Sequence, residues 1–282
     1  MVKVWILINH GYLFVESLGN LVKYLAPSHS TIVIIGSNLA IASVVFPIDD
    51  NRWEIRTCAL RRILDLKTTS GLVQVIFLYD STNYPTCDLG GNHCNDPVND
   101  TPDAYVSEQY LGDIMRYLRK GLNGTSRYPN LRQVFVISRN YGGYAKNPPT
   151  GALTGCLSPE PFTYEESFGV QRLAVAQIRQ AFGLSSSDTY SGAVDYNNAP
   201  WFDWGPYLWA SGNDPRSDGL FWCNNNGSRC SGTIDFRNGD PANGLYGDFT
   251  HPRHTGQTKA ATKIVEWLTD QNNNLVTPWI NQ

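Results

Sequence analysis

Leu72-Val-Gln-Val-Ile-Phe-Leu78 is the stretch whose reading decides the fold. Six of its seven residues are apolar, with no regular polar alternation. Such a run fits a strand buried on both faces, the condition of a parallel sheet covered by helices. Two similar runs precede it, Val2-Lys-Val-Trp-Ile-Leu-Ile8 and Thr31-Ile-Val-Ile-Ile35, the second ending at Gly36-Ser37-Asn38. A fourth, Gln133 to Ile137, follows. Apolar residues at helical spacing separate them. Helices are expected around Phe14 to Leu25, from Trp53 to Lys67 (Ile55, Leu60, Ile63, Leu64) and from Ala104 to Leu122 (Val106, Tyr110, Ile114, Leu118). Strands alternating with helices predict an α/β fold with a parallel sheet. In such sheets ligands bind beyond the carboxyl ends of the strands.

The remainder is less regular. Tyr79 to Pro102 is rich in Asn, Asp, Gly, Pro and Cys and reads as a long, disulfide-pinned loop. Pro161 to Phe182 is expected to contain a helix, roughly Glu166 to Ala181, and an aromatic region follows, Pro200-Trp-Phe-Asp-Trp-Gly-Pro-Tyr-Leu-Trp209. A last helix, Gly256 to about Asp270, carries Ala260, Ile264, Val265 and Leu268 on one face. With no internal repeat and no linker, residues 1–282 read as one domain.

Composition narrows the function. The net charge of −3 gives no reason to expect nucleic acid or an anionic membrane as partner. No apolar run is long enough for a membrane span, and Val2 to Ile8 is too short for a signal peptide. Charged residues make up only 17% of the chain, so neutral polar groups dominate its surface. Cys87 and Cys94 enclose a short Gly/Asn loop, and Cys223 and Cys230 enclose another, each suited to a local disulfide. Cys58 and Cys156 are left as a long-range pair. Sequons stand at Asn99, Asn123 and Asn226. Paired cysteines with three sequons indicate a secreted, extracellular glycoprotein. No Gly-rich phosphate loop and no standard metal-ligand spacing is present (His10, His251 and Asp248 match none), so no cofactor and no metal is expected.

Before the last helix stands Tyr246-Gly-Asp248-Phe-Thr-His251-Pro252. A carboxylate three residues before an imidazole can turn back and hold it in one tautomer, which a general base requires. The bland alternative is an Asp that caps the helix beside a surface His.

With Pro252, Gly256 and Lys259, this block resembles the C-terminal signature of the SGNH (GDSL-like) hydrolases. Other segments resemble a bacterial SGNH-hydrolase-like subgroup in order: Tyr128-Pro-Asn-Leu-Arg, Ile137-Ser-Arg-Asn-Tyr-Gly-Gly-Tyr-Ala145, Pro159-Glu-Pro-Phe-Thr-Tyr-Glu165, Trp204-Gly-Pro-Tyr-Leu-Trp209 and Arg216-Ser-Asp-Gly-Leu220. The resemblance implies a three-layer α/β/α, flavodoxin-like fold. By ancestry it implies ester hydrolysis, with His251 as base and Asp248 as its orienter.

The family's serine follows the first strand. Here that strand leads into Asn9-His10-Gly11-Tyr12, without a serine. Either Thr31 to Ile35 is the true first strand and Ser37 the nucleophile, or the strand order is the family's and Gly36 donates to the oxyanion hole. The strand count up to Ile137 favours the second. Asn83 stands where the family places an oxyanion donor, though a turn-forming Asn is the blander reading. Arg139, after the fourth strand, either clamps an anionic group or a sugar hydroxyl, or pairs with Glu160 or Glu165. Trp201, Trp204, Tyr207 and Trp209 form either a sugar-stacking platform or core beneath a loop.

Two functions follow. One is a serine ester hydrolase acting on an acylated carbohydrate or similar ester. The other is a catalytically inactive domain serving in glycan binding, structure or self-assembly.

Overall fold

The computed structural model describes residues 3–8, 33–36, 73–79, 100–121, 124–126, 128–145, 158–184, 188–224, 228–236 and 251–270, together with 85, 87–92, 94 and 249. The helices expected at Phe14 to Leu25 and Trp53 to Lys67 lie outside the described residues.

Strands β1 (Lys3–Ile8), β2 (Val33–Gly36), β3 (Val73–Tyr79), β4 (Gln133–Ile137) and β5 (Trp201–Trp204) form one parallel sheet in the order β2-β1-β3-β4-β5. The apolar runs carry the side-chain period of a strand buried twice over. Ile76, Leu78, Val134 and Val136 join one core cluster. Their neighbours Val75, Phe77, Phe135 and Ile137 join the other.

Helix α1 (Asp103–Lys120) and helix α2 (Phe162–Ala181) cover the first face with Leu111, Met115, Leu118, Val170 and Leu173. Helix α3 (His254–Thr269) covers the second with Ala260, Ala261, Ile264, Val265 and Leu268, beside fully buried Trp222 and Phe236. Trp267 stands edge-on to Phe77 and Phe135, at centroid distances of 6.0 and 5.1 Å. α1 bears Asp103 in its first turn and Arg119 and Lys120 in its last, each complementing the helix dipole. It stops at Gly121, whose φ of 63° a side chain would resist.

α1 and α2 approach closely at Gly169, where a Cβ would lie 2.7 Å from the Ala104 carbonyl oxygen. The seam beside it is polar. Arg172 donates from Nε to Glu108 and from Nη2 to Asp188, both at 2.8 Å, and lies 4.5 Å from the Tyr105 ring centroid. Glu108 is fully buried, and that burial raises its carboxyl to a pKa of about 7 despite the Arg172 hydrogen bond.

Two expectations change. α2 begins at Phe162, four residues ahead of Glu166, because Pro161 sits at the N-cap, where a missing N–H costs nothing. The start of the aromatic region, Trp201–Trp204, is an edge strand.

Candidate functional site

Gly36, Ile8, Tyr79 and Ile137 are register partners across four adjacent strands, so four strand ends finish level. The chain runs from β1 out to β2 and returns past β1 to β3. The switch point therefore lies between Ile8 and Tyr79, and the rim above it is where such sheets form a crevice.

The segment leaving β4 builds the described part of this rim. Ser138, Arg139 and Asn140 are all buried. Ser138 Oγ accepts the Leu208 N–H at 2.7 Å. Arg139 is 5% exposed. Its Nε and Nη1 have no hydrogen-bond partner among the described residues. Neither expected carboxylate takes it. Glu160 accepts from the Gly142 N–H (2.8 Å), the Tyr164 N–H (3.1 Å) and the Trp209 indole (2.9 Å). Glu165 accepts from the Leu89 N–H at 2.8 Å.

Glu160 thereby gathers an aromatic wall from three segments. Tyr141 meets Tyr144 and Trp209 at centroid distances of 4.8 and 6.3 Å. Tyr164, the most exposed of them, lies 4.7 Å from Trp209. Gly142 allows this closeness, since a Cβ there would lie 2.5 Å from the Ser158 carbonyl oxygen. Burial, and then the charge of Glu160, raises the Tyr141 phenol above its ordinary range. From the other side, Arg216 Nη1 donates to the carbonyls of Tyr207 and Trp209 at 2.7 and 2.8 Å. Its hydrogen bond to Asp218 holds that carboxyl down at about 2.

The expected Trp/Tyr cluster is therefore split. Trp209 belongs to the wall, and Trp204 and Tyr207 pack edge-on to each other at 5.6 Å. Trp201 stacks on Tyr196 at 5.5 Å, on the outer edge of the sheet. Alternation along β5 points Trp201 away from Phe202 and Trp204, which pack against the α1/α2-face core.

His251 is half-buried and directly precedes Pro252, which bridges to Phe236. The Phe236 ring lies 5.7 Å from Tyr144, so the start of α3 reaches the same end of the sheet as the wall. Phe249, two residues before His251, has φ 56°, a left-handed conformation that bulky residues seldom adopt. No side chain caps α3 at Arg253, and the Arg253 N–H instead meets the Asp235 carbonyl at 2.7 Å.

Asp235 is an anchor that sequence reading missed. Fully buried, it accepts the Cys223 N–H at 2.7 Å and Lys259 Nζ at 2.6 Å. Lys259 belongs to the α3 block, but its partner lies 24 residues earlier and carries no local signal.

Cys87–Cys94 and Cys223–Cys230 are disulfides, compatible with an extracellular protein. The third residues of the sequons, Thr101, Thr125 and Ser228, are exposed. Ser37, Asn83, Asp248, Cys58, Cys156, Asn99, Asn123 and Asn226 lie outside the described residues. Gly36 closes β2. Among the described residues no three His, Cys, Asp or Glu side chains group to hold a metal ion, and no helix is long and apolar enough to cross a membrane.

No family model, curated protein or solved structure matches this chain.

Proposed function

We propose that this chain is a secreted, SGNH-like domain of the three-layer, flavodoxin-like kind, which binds an extracellular carbohydrate at the sheet's carboxyl rim and has lost the serine nucleophile. The strand order carries the reading. Lys3–Ile8 lies between β2 and β3, with the family's first strand as its counterpart, and β2-β1-β3-β4-β5 is the flavodoxin-like order. The serine of the resembled family would follow Ile8, where the sequence reads Asn9-His10-Gly11-Tyr12. Without a nucleophile the covalent route is closed, at a cost on the order of 10⁶ in rate. The half-exposed wall of Tyr141, Tyr164 and Trp209 supports carbohydrate as the ligand, because aromatic rings offer flat apolar surface with polar edges.

One observation favours a second reading, ester hydrolysis with Ser37 attacking, His251 taking its proton, Asp248 orienting the imidazole, and Gly36 and Asn83 at the oxyanion. Gly36 is level with Ile8 in register, and Ser37 is the next residue in the sequence. Labelling with a fluorophosphonate probe separates the two. We expect no labelling of the folded protein. Labelling that disappears in both Ser37→Ala and His251→Ala would overturn the inactive reading and establish a working Ser/His pair.

A further inference from the structure

We propose that Arg139 is the seat of an oxyanion carried by the ligand, the carboxylate or sulfate of an acidic glycan. The inference deepens the carbohydrate-binding reading and rests on it for the position of the ligand.

Three observations converge. The first is burial without compensation. Arg139 is 5% exposed, and its Nε and Nη1 are buried with no acceptor among the described residues. A guanidinium cannot shed its charge, so the ordinary escape of a buried ionisable group is closed to it. A buried cation is stable when an anion meets it, and the two glutamates expected to pair with it are engaged elsewhere. Glu160 is taken by Gly142, Tyr164 and Trp209, and Glu165 accepts from Leu89.

The second is position. Arg139 follows β4 by two residues, at the carboxyl end of the sheet, where the protein's ligand is expected. The third is its surroundings. The segment that carries it leads within two residues to Tyr141 in the aromatic wall. Through Tyr141 and Tyr144 that wall packs against the same core cluster as Phe135 and Ile137, the residues of β4 just before Arg139. A buried guanidinium in want of acceptors, close in sequence to aromatic faces, fits a sugar ring bearing an acidic group.

The test is a glycan array of neutral, carboxylated and sulfated oligosaccharides, probed with the full chain. Titration calorimetry with tetragalacturonate and galactotetraose follows. We expect the array to retain acidic glycans and tetragalacturonate to bind more tightly than galactotetraose. Arg139→Met should weaken tetragalacturonate about 10–100-fold and leave galactotetraose unchanged, the worth of hydrogen bonds to a charged group. Near-UV circular dichroism checks folding. Should the Met variant not fold, Arg139→Lys carries the test, keeping the charge but losing the planar fork, with a loss of about tenfold expected. Failure to retain acidic glycans, equal affinity for the two tetrasaccharides, or unchanged affinity in the variants would overturn the proposal. Retention of neutral glycans alone would overturn it while leaving carbohydrate binding intact. Fluorophosphonate labelling would instead strike the inactive reading and leave Arg139 as a determinant of substrate charge.

Discussion

Arg172 and Arg139 occupy two regions of one molecule and are treated in opposite ways. In the α1/α2 seam, Arg172 has a carboxylate at each of two nitrogens and an aromatic ring beneath, although over a third of its side chain is exposed. At the sheet rim, Arg139 is almost wholly buried and has two nitrogens without acceptors among the described residues. The seam meets its own cation with two carboxylates, although Glu108 Oε1 is left buried without a hydrogen-bond partner among the described residues. At the rim the described residues leave Nε and Nη1 of the cation without acceptors, as a binding surface must if a ligand is to supply them.

The contrast can be broken by mutation, and the largest effect belongs to the seam. Arg172→Met strands the fully buried Glu108 carboxylate and should cost about 3 kcal/mol at pH 8, read by denaturant unfolding. The cost should shrink at pH 5, where Glu108 takes up a proton, and adding Glu108→Leu should recover most of it. Smaller but sharper is Glu108→Gln. Because the folded pKa of about 7 stands above the ordinary 4.5, the native state binds more protons than the unfolded state between those values. Glu108's contribution is therefore fully present below pH 4.5 and lost as pH rises through 7. The Gln variant should be more stable than wild type at pH 8, by about 1–3 kcal/mol, with a flatter stability–pH profile.

Gly169→Ala gains up to about 1 kcal/mol of helix propensity but forces α2 off the Ala104 carbonyl. Overpacking should win, leaving a net loss of about 1–2 kcal/mol in thermal or chemical unfolding. The smallest effect should be at the rim. Arg139→Met should shift stability by less than about 1 kcal/mol, or raise it, since its Nε and Nη1 have no hydrogen bond to lose among the described residues. A loss as large as that of Arg172→Met would erase the distinction between the regions.

The sequence reveals the strands well because burial on both faces leaves an unbroken apolar run, as in Val73–Tyr79 and Gln133–Ile137. It conceals β5, whose four residues, Trp-Phe-Asp-Trp, are too few for a period and look like any aromatic loop. The rim was half legible. Arg139 stood out by its place after a strand, with its partnering open between a ligand and two glutamates. Glu160 is occupied by two backbone N–H groups and an indole 49 residues away, and no spacing rule anticipates such partners. The Asp235–Lys259 pair was hidden likewise, because a buried carboxylate serving a later helix looks like any other Asp.

The three hydrogen bonds on Glu160 also carry a kinetic consequence. They tie the loop after β4, the first turn of α2 and the segment after β5 to one carboxylate. An opening that withdraws this carboxylate releases all three, so the amides of Gly142 and Tyr164 should share one protection factor in deuterium exchange. A ligand seated on the wall would slow both clocks by the same factor, and so report its own arrival through protons it never touches.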